Sequence, residues 1–207
     1  MLTLVLDTSG DFCSFILAEN QHIIWDKTQP EIRGHDRFLL PMIRDAFDQT
    51  HQRLKSLQRI VCVVGPGSFT GLRIGIAAAQ GLCLSTGAVS QGISAFDVMQ
   101  ASAHMKKPAL ALIPTQTGQF YSQRFDTAHD EAPLVISLDQ IKHQLSSDNL
   151  MIYASQPCSI LEKANIPYAV IPITAHGAFI ALSREVTIQP LLPFYLRESA
   201  PIRHLNT

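Results

Sequence analysis

The chain has 207 residues, of which 46% are hydrophobic and 16% charged, with 16 Lys and Arg against 17 Asp and Glu. This balance excludes a disordered chain and leaves room for an apolar interface beyond the monomer core, since a globule of this length buries roughly 70% of its extended-chain surface. A formal net charge of −1 argues against autonomous binding to nucleic acid, which normally shows as a basic stripe.

The first predicted elements are a strand over Leu2–Leu6, a turn at Asp7-Thr8-Ser9-Gly10-Asp11, and strands over Phe12–Ala18 and His22–Lys27, which together read as a three-stranded meander. A helix follows over Gly34–Gln49. Its apolar residues Phe38, Leu39, Leu40, Met42, Ile43, Ala46 and Phe47 cover more than one face, so it has surface for its own sheet and for a second contact, and Pro41 removes one backbone donor from it.

Ile60–Val64 is a mostly β-branched strand, Gly65-Pro66-Gly67 is a sharp turn, and a helix runs from Phe69 or Thr70 to Ser85 or Thr86 with Gly87 as its stop. A glycine-rich loop between strand and helix is either a phosphate cradle or a closely packed corner. Gly71 is followed by Leu72 and Arg73 rather than Lys and Ser or Thr, and the glycine spacing is not G-x-G-x-x-G, so the spacing favours the corner. Within the helix, Gly71, Gly75 and Ala78 or Ala79 recur on one side and let another helix approach. Two helical glycines cost roughly 1 kcal/mol each, which tight packing would offset. Arg73 opposes the dipole of its helix end, which leaves a specific anion partner or a plain surface salt bridge as alternatives. A membrane span is not expected, because Arg73 and Gln80 interrupt a short apolar stretch.

Ala88–Ile93 is a strand, Ser94 caps a helix to about His104, and Lys106-Lys107-Pro108 divides the chain into residues 1–105 and 106–207. The second half opens with strands over Ala109–Ile113 and Gln119–Phe125 around the turn at Pro114–Gly118. Helices over Leu138–Leu145, Ile160–Asn165 and Ala175–Arg184, short strands near Met151 and Ala169, and an extended tail from Pro190 to Arg197 complete it. Two halves that each open strand, turn, strand imply a loose internal duplication and an α/β fold with mixed sheets. Trp25, Phe120 and Tyr121 read as core. Cys13, Cys62, Cys83 and Cys158 are widely separated, and the first three read as core thiols in a reducing compartment. No two histidines stand three or four apart, so no helical metal site is spelled out. The opening Met-Leu-Thr-Leu-Val-Leu meets Asp7 without a basic leader, from which a cytoplasmic location is expected.

Several segments taken together point to one family: a strand ending in Asp7-Thr8-Ser9, the Cys13-Ser14 strand, Gly34-His35 followed by Leu39-Leu40-Pro41, Gly65-Pro-Gly-Ser-Phe-Thr-Gly-Leu-Arg-Ile-Gly75, and Pro193-Phe-Tyr-Leu-Arg197. The chain resembles the TsaB family of bacterial threonylcarbamoyladenosine biosynthesis proteins, formerly grouped with M22 glycoprotease-like proteins, closely from Met1 to about Ala103 and weakly between Leu134 and Gln189. The resemblance implies a two-subdomain actin-like, Hsp70-like ATPase fold with an abbreviated second subdomain. It further implies a non-catalytic scaffold that pairs with the catalytic relative TsaD, or with itself, through the two N-terminal helices. TsaE would complete the complex that modifies adenosine 37 of tRNA.

The interface implied in this way comprises His35, Leu39, Met42, Ile43, Ala46, Gly71, Arg73, Ile74, Gly75, Ala78 and Leu82. His35 also reads as a capping or surface histidine. If Gly75 lies at that contact, Gly75→Leu should block the partner while the monomer stays folded. Asp7, Ser9, Gly67 and Ser68 are vestigial nucleotide or phosphate contacts on the same resemblance, with Asp7 and Ser9 equally readable as turn formers. The two metal histidines of TsaD fall here on Ala95 and Met99, so no metal is expected, and ATP or ADP is expected only at the interface with TsaD. The Pro114-Thr-Gln-Thr-Gly118 turn lacks the charges usual in that family. The competing reading is an enzyme of the same fold, an ATP-dependent phosphotransferase or a metalloprotease-like protein, although no Ser-His-Asp or Cys-His set can be singled out.

Overall fold

The computed structural model describes residues 1–30, 35–103, 105–127, 129–147, 149–184 and 186–196. The apolar, β-branched and aromatic residues at the start of the chain build an antiparallel meander of β1 (Leu2–Asp7), β2 (Phe12–Glu19) and β3 (His22–Pro30). Helix α1 (His35–Thr50) and a short 3₁₀ turn (Leu54–Ser56) lead to β4 (Leu57–Gly65), which lies parallel to β1. Helix α2 (Phe69–Thr86) then returns the chain to β5 (Val89–Ser94), parallel to β4, and α3 (Ala95–Ser102) ends the unit.

The second half repeats this plan. Strands β6 (Ala109–Pro114), β7 (Phe120–Phe125) and β8 (Leu134–Ile136) form a meander, α4 (Leu138–Ser147) leads to β9 (Met151–Ala154), α5 (Ser159–Lys163) to β10 (Ala169–Val170), and α6 (Ala175–Ala181) follows. The strand orders are β3-β2-β1-β4-β5 and β8-β7-β6-β9-β10, the same order in each unit. The duplication therefore extends to every strand and helix. The expected helices and strands are present among the described residues, and the expected bounds at Gly34, His104 and Arg197 lie outside them. The 3₁₀ turn and β8 were not anticipated, α5 stops at Lys163, and α6 stops at Ala181.

Strand periodicity sorts the core into layers. Leu4, Leu6, Phe15, Leu17, Ile60, Cys62 and Val64 face α1 and α2, whereas Val5, Ile16, Val61 and Val63 face a middle layer that contains α3 and α6. Ala109, Ala111 and Ile113 of β6 join that middle layer from the other sheet, and Leu110 and Leu112 face a third cluster with Ile141 and Leu161 of α4 and α5. Phe120 is buried as expected, but Trp25, Tyr121 and Cys83 are only partly so. Trp25 packs edge-on against Phe15 and its indole N–H donates to Gln49 at 3.2 Å, because β3 is an edge strand with one open side.

The chain beyond residue 174 returns to the first sheet. Helix α6 contacts β1, β2 and β4 as well as α3, and the buried Ser14 hydroxyl accepts the Ala175 N–H at 2.6 Å. Gln189 then exchanges two backbone hydrogen bonds with Gly92 on the β5 edge, and the Phe194 N–H donates to the Val64 carbonyl at 2.8 Å. Residues 189–196 thus form a strap across the C-terminal ends of β4 and β5.

Candidate functional site

Two regions hold the residues singled out by the sequence. The first is the corner where β1 ends against the Gly65–Ser68 loop. Asp7, Thr8 and Ser9 are all buried here, and the Ser9 N–H donates to Asp7 Oδ1 at 2.8 Å. The loop docks through the Ser68 N–H, which donates to the Ser9 carbonyl at 2.7 Å. A Cβ on Gly67 would stand 2.4 Å from the same oxygen, so only glycine fits. Gly65, at φ 112°, also needs a glycine backbone.

Ser68 is the N-cap of α2. Its hydroxyl accepts the Gly71 N–H at 3.2 Å and its carbonyl accepts the Leu72 N–H at 2.9 Å. Gly87, in the left-handed region at φ 78°, closes the other end. Asp7, Ser9, Gly67 and Ser68 are therefore brought together, and the N–H groups of Ser68, Gly71 and Leu72 are spent inside the corner. Burial raises the Cys13 thiol to about 11 and pushes Cys62 higher still, with the Asp7 charge adding to both. These are inert core thiols.

The second region is the pair α1 and α2. The structure corrects most of the interface expected there. Leu39, Met42, Ile43 and Ala46 are buried, in the core with Leu4, Phe15 and Ile60. Gly71 and Gly75 also face inward: Thr8 Oγ1 donates to the Gly71 carbonyl at 2.7 Å, and a Cβ on Gly75 would lie 2.4 Å from that hydroxyl. The glycines let α2 settle on its own β1 and β4. Ile74, Ala78 and Leu82 are half-buried along the flank of the helix, and Arg73 is exposed. His35 opens α1, and its side chain lies outside the described residues.

The outward face carries residues absent from the expected interface: Phe69, Ala77, Gly81 and Leu84 on α2, with Leu84 90% exposed and nothing within 4 Å of a Cβ on Gly81. The i, i+4 spacing of Ala77 and Gly81 was the available signal. Leu40 and Pro41 are the exposed apolar residues of α1, and among the described residues no helix is long and apolar enough to cross a membrane. Among the described residues Arg73 forms no salt bridge. Its guanidinium lies over the Phe69 ring at 3.8 Å and Nε donates to the Tyr195 hydroxyl at 3.2 Å.

The remaining positions are quieter. Ala95 and Met99 are fully buried, and among the described residues no group of three His, Cys, Asp or Glu could hold a metal ion. In the Pro114–Gly118 turn the Thr115 hydroxyl bonds the Gln119 carbonyl at 2.9 Å and reaches the Thr117 hydroxyl at 3.0 Å. Beside α3 a cavity of about 310 Å³ is lined by Asp97, Gln100, Met105, Lys107 and Arg184 among others.

Burial raises the Asp97 carboxyl from 3.8 to about 6; the Ser94 backbone N–H opposes this and Asp130 adds to it. A folded-state value above the unfolded one gives a contribution that is full below about pH 4 and is lost as the pH rises through about 6. Asp97→Asn removes the charge and keeps an acceptor for Ser94. Its melting temperature relative to the parent is expected to rise between pH 4 and pH 7.5, and a pH-independent difference would contradict the assignment.

Two five-stranded mixed sheets of identical order, each clasped by helices, with an acidic corner at the end of β1, define a protein of the actin-like ATPase fold. A crystal structure of an uncharacterized Pseudomonas aeruginosa protein with similarity to peptidase YeaZ superposes with a TM-score of 0.72 at 21% identity, covering 95% of this chain and 99% of that one. The ethanolamine utilization protein EutJ of Carboxydothermus hydrogenoformans shares the fold at a TM-score of 0.51 and 10% identity, covering 87% of this chain and 88% of that one.

Residues 25–156 match the family model described as TsaD, tRNA N6-adenosine threonylcarbamoyltransferase, and the chain belongs to that family. Among curated relatives it is 34% identical over 124 residues to the tRNA threonylcarbamoyladenosine biosynthesis protein TsaB of Escherichia coli (58% of this chain, 53% of that protein). It is 32% identical over 123 residues to TsaB of Buchnera aphidicola subsp. Schizaphis graminum (58% of each). The matches thus span a little over half the length of these relatives.

Proposed function

We propose that this chain is a non-catalytic scaffold subunit in the synthesis of threonylcarbamoyladenosine at position 37 of tRNA. It binds the catalytic TsaD subunit through the outer faces of α1 and α2, TsaE joins the pair, and tRNA is engaged by the complex. On this reading the chain works in the cytoplasm, holds no cofactor alone, and meets ATP or ADP only where it abuts TsaD. Self-association through the same helices competes for that face.

The observation that carries the reading is the outer face of α2. Ala77, Gly81 and Leu84 are exposed, Gly81 opens onto free space, and Arg73 is the one charged residue in the 18-residue helix. A helical glycine with nothing beside it costs roughly 1 kcal/mol relative to Ala, a cost that close approach of another helix would offset. The buried Ala95 and Met99 support the non-catalytic part, since neither side chain serves as a hard-metal ligand.

Gly81→Leu separates folding from assembly. The isolated variant should melt at or slightly above the parent temperature, whereas its affinity for the TsaD subunit should fall by about tenfold or more, measured by titration calorimetry. Undiminished affinity would overturn the placement. Steady ATP turnover by the isolated chain, or stoichiometric metal in it, would overturn the scaffold reading in favour of an enzyme.

A further inference from the structure

We propose that Phe69, Arg73 and Tyr195 form a preassembled receptor for a carboxylate on the partner protein, with the C-terminal strap as one half of the contact surface. This deepens the reading above and rests on it. The receptor is built from distant parts of the chain. Phe69 and Arg73 stand one turn apart at the start of α2, and Tyr195 comes from the strap, which Gln189, Phe194 and the Gln80 side chain fasten to the first sheet and to α2.

The Phe69 and Tyr195 rings stack with centroids 5.3 Å apart, and the Arg73 guanidinium lies over Phe69 with Nε bonded to the Tyr195 hydroxyl. That leaves both terminal guanidinium nitrogens without a hydrogen bond or ion pair among the described residues. The three side chains are nonetheless exposed, Phe69 by 54% and Tyr195 by 44%.

Stacking and the Nε bond hold the planar fork in one orientation, so less side-chain freedom is lost when an anion arrives. The fork geometry suits an oxyanion taken in a bidentate manner. The surroundings decide which anion. Helix α2 and residues 186–196 together carry one charge, Arg73, and the neighbouring strap residues Leu192 and Phe194 are exposed apolar side chains. A nucleic-acid surface gathers several cations to offset successive phosphates. A protein contact places one Arg among aromatic and aliphatic residues and excludes water around it. The occupant is therefore a carboxylate set in an apolar protein surface.

The test uses the full chain and the purified TsaD subunit, with calorimetric titration at low and high salt and melting temperatures for every variant. Arg73→Gln and Arg73→Glu should fold normally, with affinity reduced by about thirtyfold and by more than that, respectively. Arg73→Lys should recover only part of the loss, because it restores charge without the fork. Tyr195→Phe should cost several-fold by freeing the guanidinium. The salt dependence of binding should flatten in Arg73→Gln.

If the Arg73 variants bind as the parent does while Gly81→Leu does not, the receptor is refuted and the scaffold reading stands. If neither site affects binding, both fall. Two further results would overturn the proposal: unchanged affinity for the TsaD subunit with a selective loss of tRNA binding, which would make the cluster an RNA contact, or a change confined to self-association of the isolated chain.

Discussion

Gly75→Leu is expected to cripple folding of the isolated chain, lowering its melting temperature by about 10 °C or preventing soluble expression. The first atom of the new side chain would lie 2.4 Å from Thr8 Oγ1 and 3.4 Å from Cys62 Sγ, at the buried seam between α2 and the sheet. Thr8 can rotate away only by abandoning its 2.7 Å hydrogen bond to the Gly71 carbonyl, which would then be left unsatisfied in the interior. Overpacking contributes about 1–3 kcal/mol and the lost buried hydrogen bond about 1–3 kcal/mol more. For a chain of this length each kcal/mol moves the melting temperature by about 2–4 °C. This replaces the expectation that the same change would spare the monomer and block only the partner. Thermal unfolding of Gly75→Leu beside Gly81→Leu decides the matter: equal melting temperatures would mean that the two faces of α2 are wrongly assigned.

Gly177→Leu should be comparably severe, although residue 177 belongs to a short helix late in the chain. A Cβ there would meet Ser102 Oγ at 2.2 Å and Val98 Cγ1 at 2.9 Å, both on α3. Neither can yield cheaply. Ser102 Oγ is bonded to the Val98 carbonyl at 2.7 Å, and Val98 is fully buried in the middle core layer. Pushing α6 off α3 would also strain the Ala175–Ser14 hydrogen bond and the contacts of α6 with β1, β2 and β4. The expected loss is about 3 kcal/mol or more, read as a lower denaturant midpoint. Retained stability would mean that α6 contributes little to joining the two repeats.

Much of this was legible in the residues themselves. The β-branched run at Ile60–Val64, the helical pattern from Phe69 or Thr70 and the Gly87 stop specify a strand, a helix start and a helix end through local backbone chemistry, and all three appear where that chemistry puts them. The repeated strand-turn-strand openings foretold the duplicated sheets. Strand β8 was not legible because three residues carry too little period to stand out, and its identity comes from pairing with β7. The returning strap was equally hidden, since Gln189 and Phe194 bond to Gly92 and Val64 through backbone groups that leave no side-chain signature.

The Gly65–Gly75 stretch shows where the division falls. Sequence alone determined that a tight corner launches a helix rich in small residues, because only glycine tolerates those backbone angles and approaches. It also contained two ladders of small residues, Gly71-Gly75-Ala79 and Ala77-Gly81, displaced from each other by roughly 200° around the helix. Periodicity is blind to which ladder faces inward. The tertiary structure decided it: Thr8 and Cys62 occupy the space beside the first ladder, and nothing lies within 4 Å of a Cβ on Gly81 in the second.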